Sequence, residues 1–153
     1  MKAKFRYLLL SLALMFSMLT GCMAPMENYV SDDYGVYVEE DGTYTSKEEV
    51  AAYIYEFGHL PDNFITKKEA KALGWESREG NLGEVAPGMS IGGDYFGNYE
   101  GILPEEYDRD YYECDINSDG GYRGAERIVF SNDGLIYYTE DHYESFELLY
   151  GEE

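Results

Sequence analysis

Residues 111–130, YYECDINSDGGYRGAERIVF, limit the fold more than any other part of the chain. Tyr111, Glu113 and Asp115 alternate with Tyr112, Cys114 and Ile116. Successive side chains of a strand point to opposite faces, so this period of two puts Glu113 on one face and Cys114 on the other. The Asp-, Asn- and Gly-rich run that follows predicts a turn, and RIVFS predicts a second strand of branched and aromatic residues. The hairpin thus carries a carboxylate, Glu113, on one strand, and two guanidinium groups, Arg123 and Arg127, towards the next. That is a platform for an anion beside a group able to move a proton.

Ser46 and Glu49 fit a capping box ahead of a helix whose buried face is Val50, Tyr53, Ile54 and Phe57. Gly58 ends that helix and Pro61 prevents its continuation. His59 lies just beyond the C-terminus and reads as structural. Thr66 and Glu69 form a second box, for a short helix ended by Gly74. Lys67 falls in its first turn, against the helix dipole, a local cost that suggests a functional role. Trp75 reads as core. Residues 80–88 predict a short helical turn, and residues 90–98 a glycine-interrupted strand. Asp133-Gly134 signals a two-residue hairpin, residues 139–143 a loop containing His142, and residues 146–150 a last strand. Helices first and an antiparallel meander afterwards predict an α+β fold, with the helices packed on one face of the sheet.

The chain has 153 residues, enough for one domain with appendages. Residues 1–22 read as a cleaved signal: Lys2, Lys4 and Arg6, then an apolar run too short for a comfortable membrane span. Its ending, Leu19-Thr20-Gly21-Cys22, resembles the bacterial lipoprotein box, which implies lipidation at Cys22. The expected location is extracellular, with the domain anchored to the cell surface or released. Residues 23–43, acidic and without a clear period, predict a disordered tether before a domain over 44–153. With Cys22 acylated, Cys114 has no partner and reads as a small core residue. Lys2, Lys4 and Arg6 are three of the 11 basic residues, and all 31 acidic ones lie later, so the mature chain carries 8 against 31, a net −23. Such a charge works against general adhesion to nucleic acid or anionic lipid. Any nucleic-acid contact must be local.

Longer motifs carry a second resemblance. Residues 61–67 (PDNFITK), 73–75 (LGW), 80–82 (GNL), 85–88 (VAPG) and 90–94 (SIGGD) are similar to the barnase family of guanyl-preferring microbial ribonucleases. So are Glu113 with residues 115–117, Arg127-Ile128, residues 135–137 and Asp141-His142-Tyr143. The likeness runs from about residue 44 to 149, in order and without a gap. It implies the microbial ribonuclease fold and cleavage of single-stranded RNA 3′ of guanine, through a 2′,3′-cyclic phosphate that is then hydrolysed. It implies Glu113 as general base, His142 as general acid, and Lys67, Arg123 and Arg127 as phosphate ligands. No metal or cofactor is required by that scheme. Guanine recognition is implied for Phe96, Gly97, Asn98, Tyr99 and Glu100, with Phe96 and Tyr143 as stacking faces. A carboxylate at Glu100 can accept guanine's N1–H and N2–H, while backbone N–H groups near Gly97 and Asn98 donate to O6.

Two positions depart from the family: Tyr99 stands where an arginine is usual and Met89 where a lysine is. Family members are commonly basic, and many are blocked by a small acidic inhibitor of the barstar type. An acidic monomer with Tyr99 is expected to bind such an inhibitor less tightly, or to need a different one. Residues 115–126 also fit the EF-hand pattern of a calcium loop, Asp115 to Glu126, but their flanks read as strands. The alternative to the enzyme is a surface lipoprotein that keeps the fold without the activity, with or without calcium at that loop.

Overall fold

The computed structural model describes residues 35–153; the signal, Cys22 and most of the tether lie outside the described residues. Helix α1 (Lys47–Phe57) starts at Ser46, whose hydroxyl accepts the Glu49 N–H at 3.4 Å and donates to the Glu49 carboxylate at 2.6 Å. It ends at Gly58, whose φ of 75° is costly for any residue with a Cβ. Val50, Ala51 and Ile54 pack from α1 onto one face of the sheet. Phe57 is only half-buried, its ring 4.6 Å from that of Tyr53. Helix α2 (Lys67–Ala72) carries the complete capping box of Thr66 and Glu69. Helix α3 (Leu82–Val85) is a single turn.

Six strands, β1 (Phe64–Ile65), β2 (Ser90–Phe96), β3 (Tyr111–Asp115), β4 (Arg127–Ser131), β5 (Ile136–Thr139) and β6 (Glu147–Tyr150), lie in sequence order in one sheet among the described residues. Only β1–β2 is parallel; β2 to β6 form the expected antiparallel meander. The fold is α+β. Cys114, Ile128, Phe130 and Ile136 face α1 in one core cluster. Tyr111, Val129, Leu135 and Tyr137 build a second cluster on the opposite face, with Leu103 and partly buried Phe96, Tyr143 and Phe146. The alternation read from β3 is therefore what separates core from site.

Between Gly92 and Asp94 the β2–β3 register shifts, a bulge. A Cβ at Gly92 would come within 2.6 Å of Cys114 Cβ and 2.7 Å of Phe64, so only glycine lets β2 approach this closely. Two expectations differ. The turn at Asp133-Gly134 has three residues, because Ser131 N–H bonds to the Leu135 carbonyl at 2.8 Å across Asn132, Asp133 and Gly134. Asn132 is drawn in because it holds the preceding loop: it accepts the Asp110 N–H at 3.0 Å and donates to the Asp108 carbonyl at 2.9 Å. Residues 39–42, assigned to the tether, form a turn closed by Gly42 N–H on the Glu39 carbonyl, and Tyr53 Oη reaches the Glu40 carbonyl at 2.7 Å.

Candidate active site

The register across β3, β4 and β5 pairs Asp115 with Arg127 and Arg127 with Thr139, and pairs Glu113 with Val129. Two functional rows thus share the face opposite α1. Lys67 enters from the first turn of α2, and its Nζ donates to Glu113 Oε1. Its backbone N–H is held by Asp94 Oδ2 at 2.9 Å, next to the β2 bulge. The Tyr143 hydroxyl donates to the other oxygen, Glu113 Oε2. Arg123 Nη2 lies 3.9 Å from Glu113 Oε1. Burial alone would push the Glu113 carboxyl up; the hydrogen bonds from Lys67 and Tyr143, with the charges of Lys67 and Arg123, outweigh it and hold the group below its ordinary value. The group is therefore ionised, the only form in which it can accept a proton.

Asp115 is the hub for the arginines. It takes Arg123 in a two-pronged pair, Nε to Oδ2 at 2.8 Å and Nη2 to Oδ1 at 2.6 Å. Arg127 Nε lies 3.0 Å from Asp115 Oδ1, a charge contact without an aligned hydrogen bond. Arg127 Nη1 donates to the carbonyls of Gly124 and Glu126 at 2.8 and 2.7 Å. These bonds fix the guanidinium planes beside Glu113. The same contacts argue against calcium at residues 115–126. Its first position is committed to two cations, and its last, Glu126, accepts from Asn117 and Tyr138. The flanks are strands β3 and β4.

His142 lies on the loop after β5, exposed, with its ring centroid 4.7 Å from that of Tyr143. Because Tyr143 touches Glu113, the histidine and the carboxylate border one tyrosine. The loop is unusual: His142 and Tyr143 have φ of 58° and 75°, a left-handed conformation uncommon for side-chain-bearing residues. Buried Thr139 accepts the Tyr143 N–H at 3.0 Å and donates to Asp141 at 2.8 Å. Asp141 also accepts the backbone N–H groups of Glu144 and Ser145 and the Ser145 hydroxyl. These bonds, the Ser145 hydroxyl first, lower the Asp141 carboxyl to about 2.

Residues 96–100 join the same region. The Phe96 ring lies 5.2 Å from the Tyr143 ring at 32°. Asn98, left-handed and buried, spends its side chain on the loop itself: Nδ2 donates to the Leu103 carbonyl at 2.9 Å and Oδ1 accepts the Leu103 N–H at 3.1 Å. Its backbone alone is left for a ligand. At Gly97 a Cβ would come within 2.4 Å of the Tyr99 ring. Tyr99 is 91% exposed, and Glu100 is exposed beside it. Met89 packs with Ala70, Trp75 and Ile91, an apolar role in place of a charge. Cys114 is buried and its thiol is pushed up by burial, in keeping with a core residue.

Three contributions escaped the reading of the sequence: Asp115 as counterion, the Tyr143 hydroxyl on Glu113, and Thr139–Asp141 as the mount of the His142 loop. The signal for Asp115 was present, since it shares a strand face with Glu113 two residues away. The other two are made by the folded loop.

The family model described as ribonuclease matches residues 47–150. Ribonuclease of Heyndrickxia coagulans is 56% identical over 97 residues, 63% of this chain and 89% of that protein. Ribonuclease of Bacillus intermedius is also 56% identical over 97 residues, but these are 60% of that longer protein. Guanyl-specific ribonuclease St of Saccharopolyspora erythraea is 47% identical over 57 residues, 37% of this chain and 56% of that protein. With most of the chain matched, and with Glu113, Lys67, Arg123 and Tyr143 gathered on one face of the sheet, this protein belongs to the ribonuclease family.

Proposed function

We propose that this chain is an endoribonuclease that cleaves single-stranded RNA, preferentially 3′ of guanine, by general acid–base transesterification. Glu113 takes the proton of the ribose 2′-hydroxyl, and the 2′-oxygen attacks phosphorus. The bond to the 5′-oxygen breaks as protonated His142 gives that oxygen a proton. The product is a 2′,3′-cyclic phosphate. In its hydrolysis the roles exchange: His142 takes a proton from water and the Glu113 carboxyl returns one to the 2′-oxygen. Lys67, Arg123 and Arg127 stabilise the charge on the phosphorane. The observation that carries this reading is Glu113 with Lys67 on one oxygen and Tyr143 on the other, beside Arg123, with the His142 ring against that of Tyr143.

Guanine preference is supported by the name of the Saccharopolyspora relative and by Phe96 packed on Tyr143. The Gly97 and Asn98 backbone and the Glu100 carboxylate supply the complementary acceptor and donors. A synthetic RNA with one guanine, incubated with enzyme in chelator, is expected to yield one cut ending in guanosine 2′,3′-cyclic phosphate. Cuts spread over all bases would sink the specificity, and no cut would sink the activity. We propose as well, from the signal-like N-terminus, that the enzyme is extracellular and tied to a membrane only through lipid at Cys22, and that it works as a monomer. Radiolabelled palmitate should enter the wild-type chain and not Cys22→Ser; equal labelling contradicts the anchor.

A further inference from the structure

We propose that Lys71 and Arg78 form a second phosphate site that holds the RNA backbone away from the scissile bond. The proposal rests on the ribonuclease reading for the identity of its ligand. Eight cationic residues lie among residues 35–153. Five of them, Lys47, Lys67, Arg109, Arg123 and Arg127, are in ion pairs. Of the other three, Lys68 acts on the Glu69 carboxylate, while Lys71 and Arg78 have no ion-pair partner among the described residues. They are exposed, and both line a cavity of ≈ 460 Å³ with Gly74, Trp75, Glu76 and Ser77. In a chain of net charge −20, two cations left unpaired in one cavity repel each other and are offset only by an anion.

The cavity is rigidly built. Trp75 belongs to the cluster of Ala70, Leu82, Ala86 and Ile91, and its N–H bonds to the Ala70 carbonyl at 3.0 Å. Asn81 ties the rim together, accepting the Glu76 N–H at 2.8 Å and donating to the Gly74 carbonyl at 3.1 Å. Glu79 N–H closes the turn carrying Arg78 on the Glu76 carbonyl at 2.9 Å. Glu76 is the one carboxylate in the lining, so the two cations leave it net positive.

Position identifies the ligand. Lys71 is four residues after Lys67 on α2, and residues at that spacing are neighbours on one helix face, about 6 Å apart. A chain whose scissile phosphate lies at Lys67, Arg123 and Arg127 therefore meets Lys71 next, and Arg78 across the cavity from it. A flexible polyanion crossing an acidic surface gains most where cations are already free of partners. The site makes an oligonucleotide a better ligand than a dinucleotide, which is too short to reach both places.

The test compares wild type with the double variant Lys71→Gln/Arg78→Gln on two probes. One is a guanylyl dinucleotide. The other is a 2′-deoxy oligonucleotide containing one guanine, which binds without being cut and is read by fluorescence anisotropy. Lys47→Gln, which removes a cation elsewhere, controls for overall charge. The double variant should bind the oligonucleotide about tenfold more weakly, as loss of charge-assisted phosphate contacts dictates. Its log-affinity against log-salt slope should fall by about 0.7 for one phosphate lost. Its turnover of the dinucleotide and its melting temperature should match wild type. Unchanged oligonucleotide affinity, or an equal loss in Lys47→Gln, overturns the proposal. Failure of the wild type to cut the dinucleotide overturns the ribonuclease reading instead, and the anisotropy comparison still decides the phosphate site.

Discussion

Replacing Asp115 with asparagine should cost the domain more stability than any other single loss of charge. The side chains of Asp115 and Arg127 are 4% and 2% exposed, so this pair is desolvated. Arg123, 21% exposed, adds a two-pronged bond to the same carboxylate. Removing one partner of a buried pair leaves the other charge uncompensated, a penalty of about 3–5 kcal/mol. Asparagine keeps one acceptor, so the lower end, about 3 kcal/mol, applies. For a domain of this size that is a fall in Tm of roughly 15 °C. Glu147→Gln is the contrast, since Lys47–Glu147 spans 3.7 Å with the glutamate 61% exposed. An exposed pair contributes less than about 1 kcal/mol. Urea unfolding followed by the fluorescence of Trp75 measures both. A loss below about 1 kcal/mol for Asp115→Asn would refute the view that this carboxylate holds the two arginines in place.

Other outcomes follow from the same geometry. Lys67→Met removes a hydrogen bond and a charge that lower the Glu113 carboxyl while leaving the burial that raises it. The base then protonates at higher pH, so the acid limb of kcat/KM should move upward; an unmoved limb contradicts the assignment. Asp141→Ala releases the mount of the left-handed His142–Tyr143 pair, and kcat should fall at least about tenfold with little change in KM. The stability supplied by Asp141 should be present above the ordinary aspartate range and fade as pH falls toward about 2, which an acid titration of Asp141→Asn against wild type would detect. Tyr99→Arg should tighten binding of an acidic barstar-type protein, measured by calorimetry, relative to a weakly inhibited wild type; tight stoichiometric inhibition of the wild type would remove the argument from charge.

Local chemistry made most of the fold legible. The Ser46 and Thr66 caps, the Gly58 stop and the alternation through β3 each act within a few residues, so the helices and the two faces of the hairpin could be read from text. The turn at residues 132–134 could not, because Asn132 answers to Asp108 and Asp110, more than twenty residues earlier. The resemblance named candidate residues, and the register explains how those on the strands come to share one face. Asp115, Arg127 and Thr139 form one row, and Glu113 lies in the next. What no local pattern contains is the use of Tyr143 as a donor to Glu113, since 30 residues separate them. Likewise Asn98 is half of a loop clasp with Leu103, not a free side chain for a base.

The decisive measurement is the rate at which wild type, Glu113→Ala and His142→Ala cleave a guanylyl dinucleotide. Proton transfer by each group implies that both variants fall by about 10²–10⁴-fold while still folding and binding guanosine monophosphate. A wild type no faster than either variant would mean that the carboxylate and the imidazole do not work on a phosphodiester, and that the protein keeps the family's fold without its chemistry.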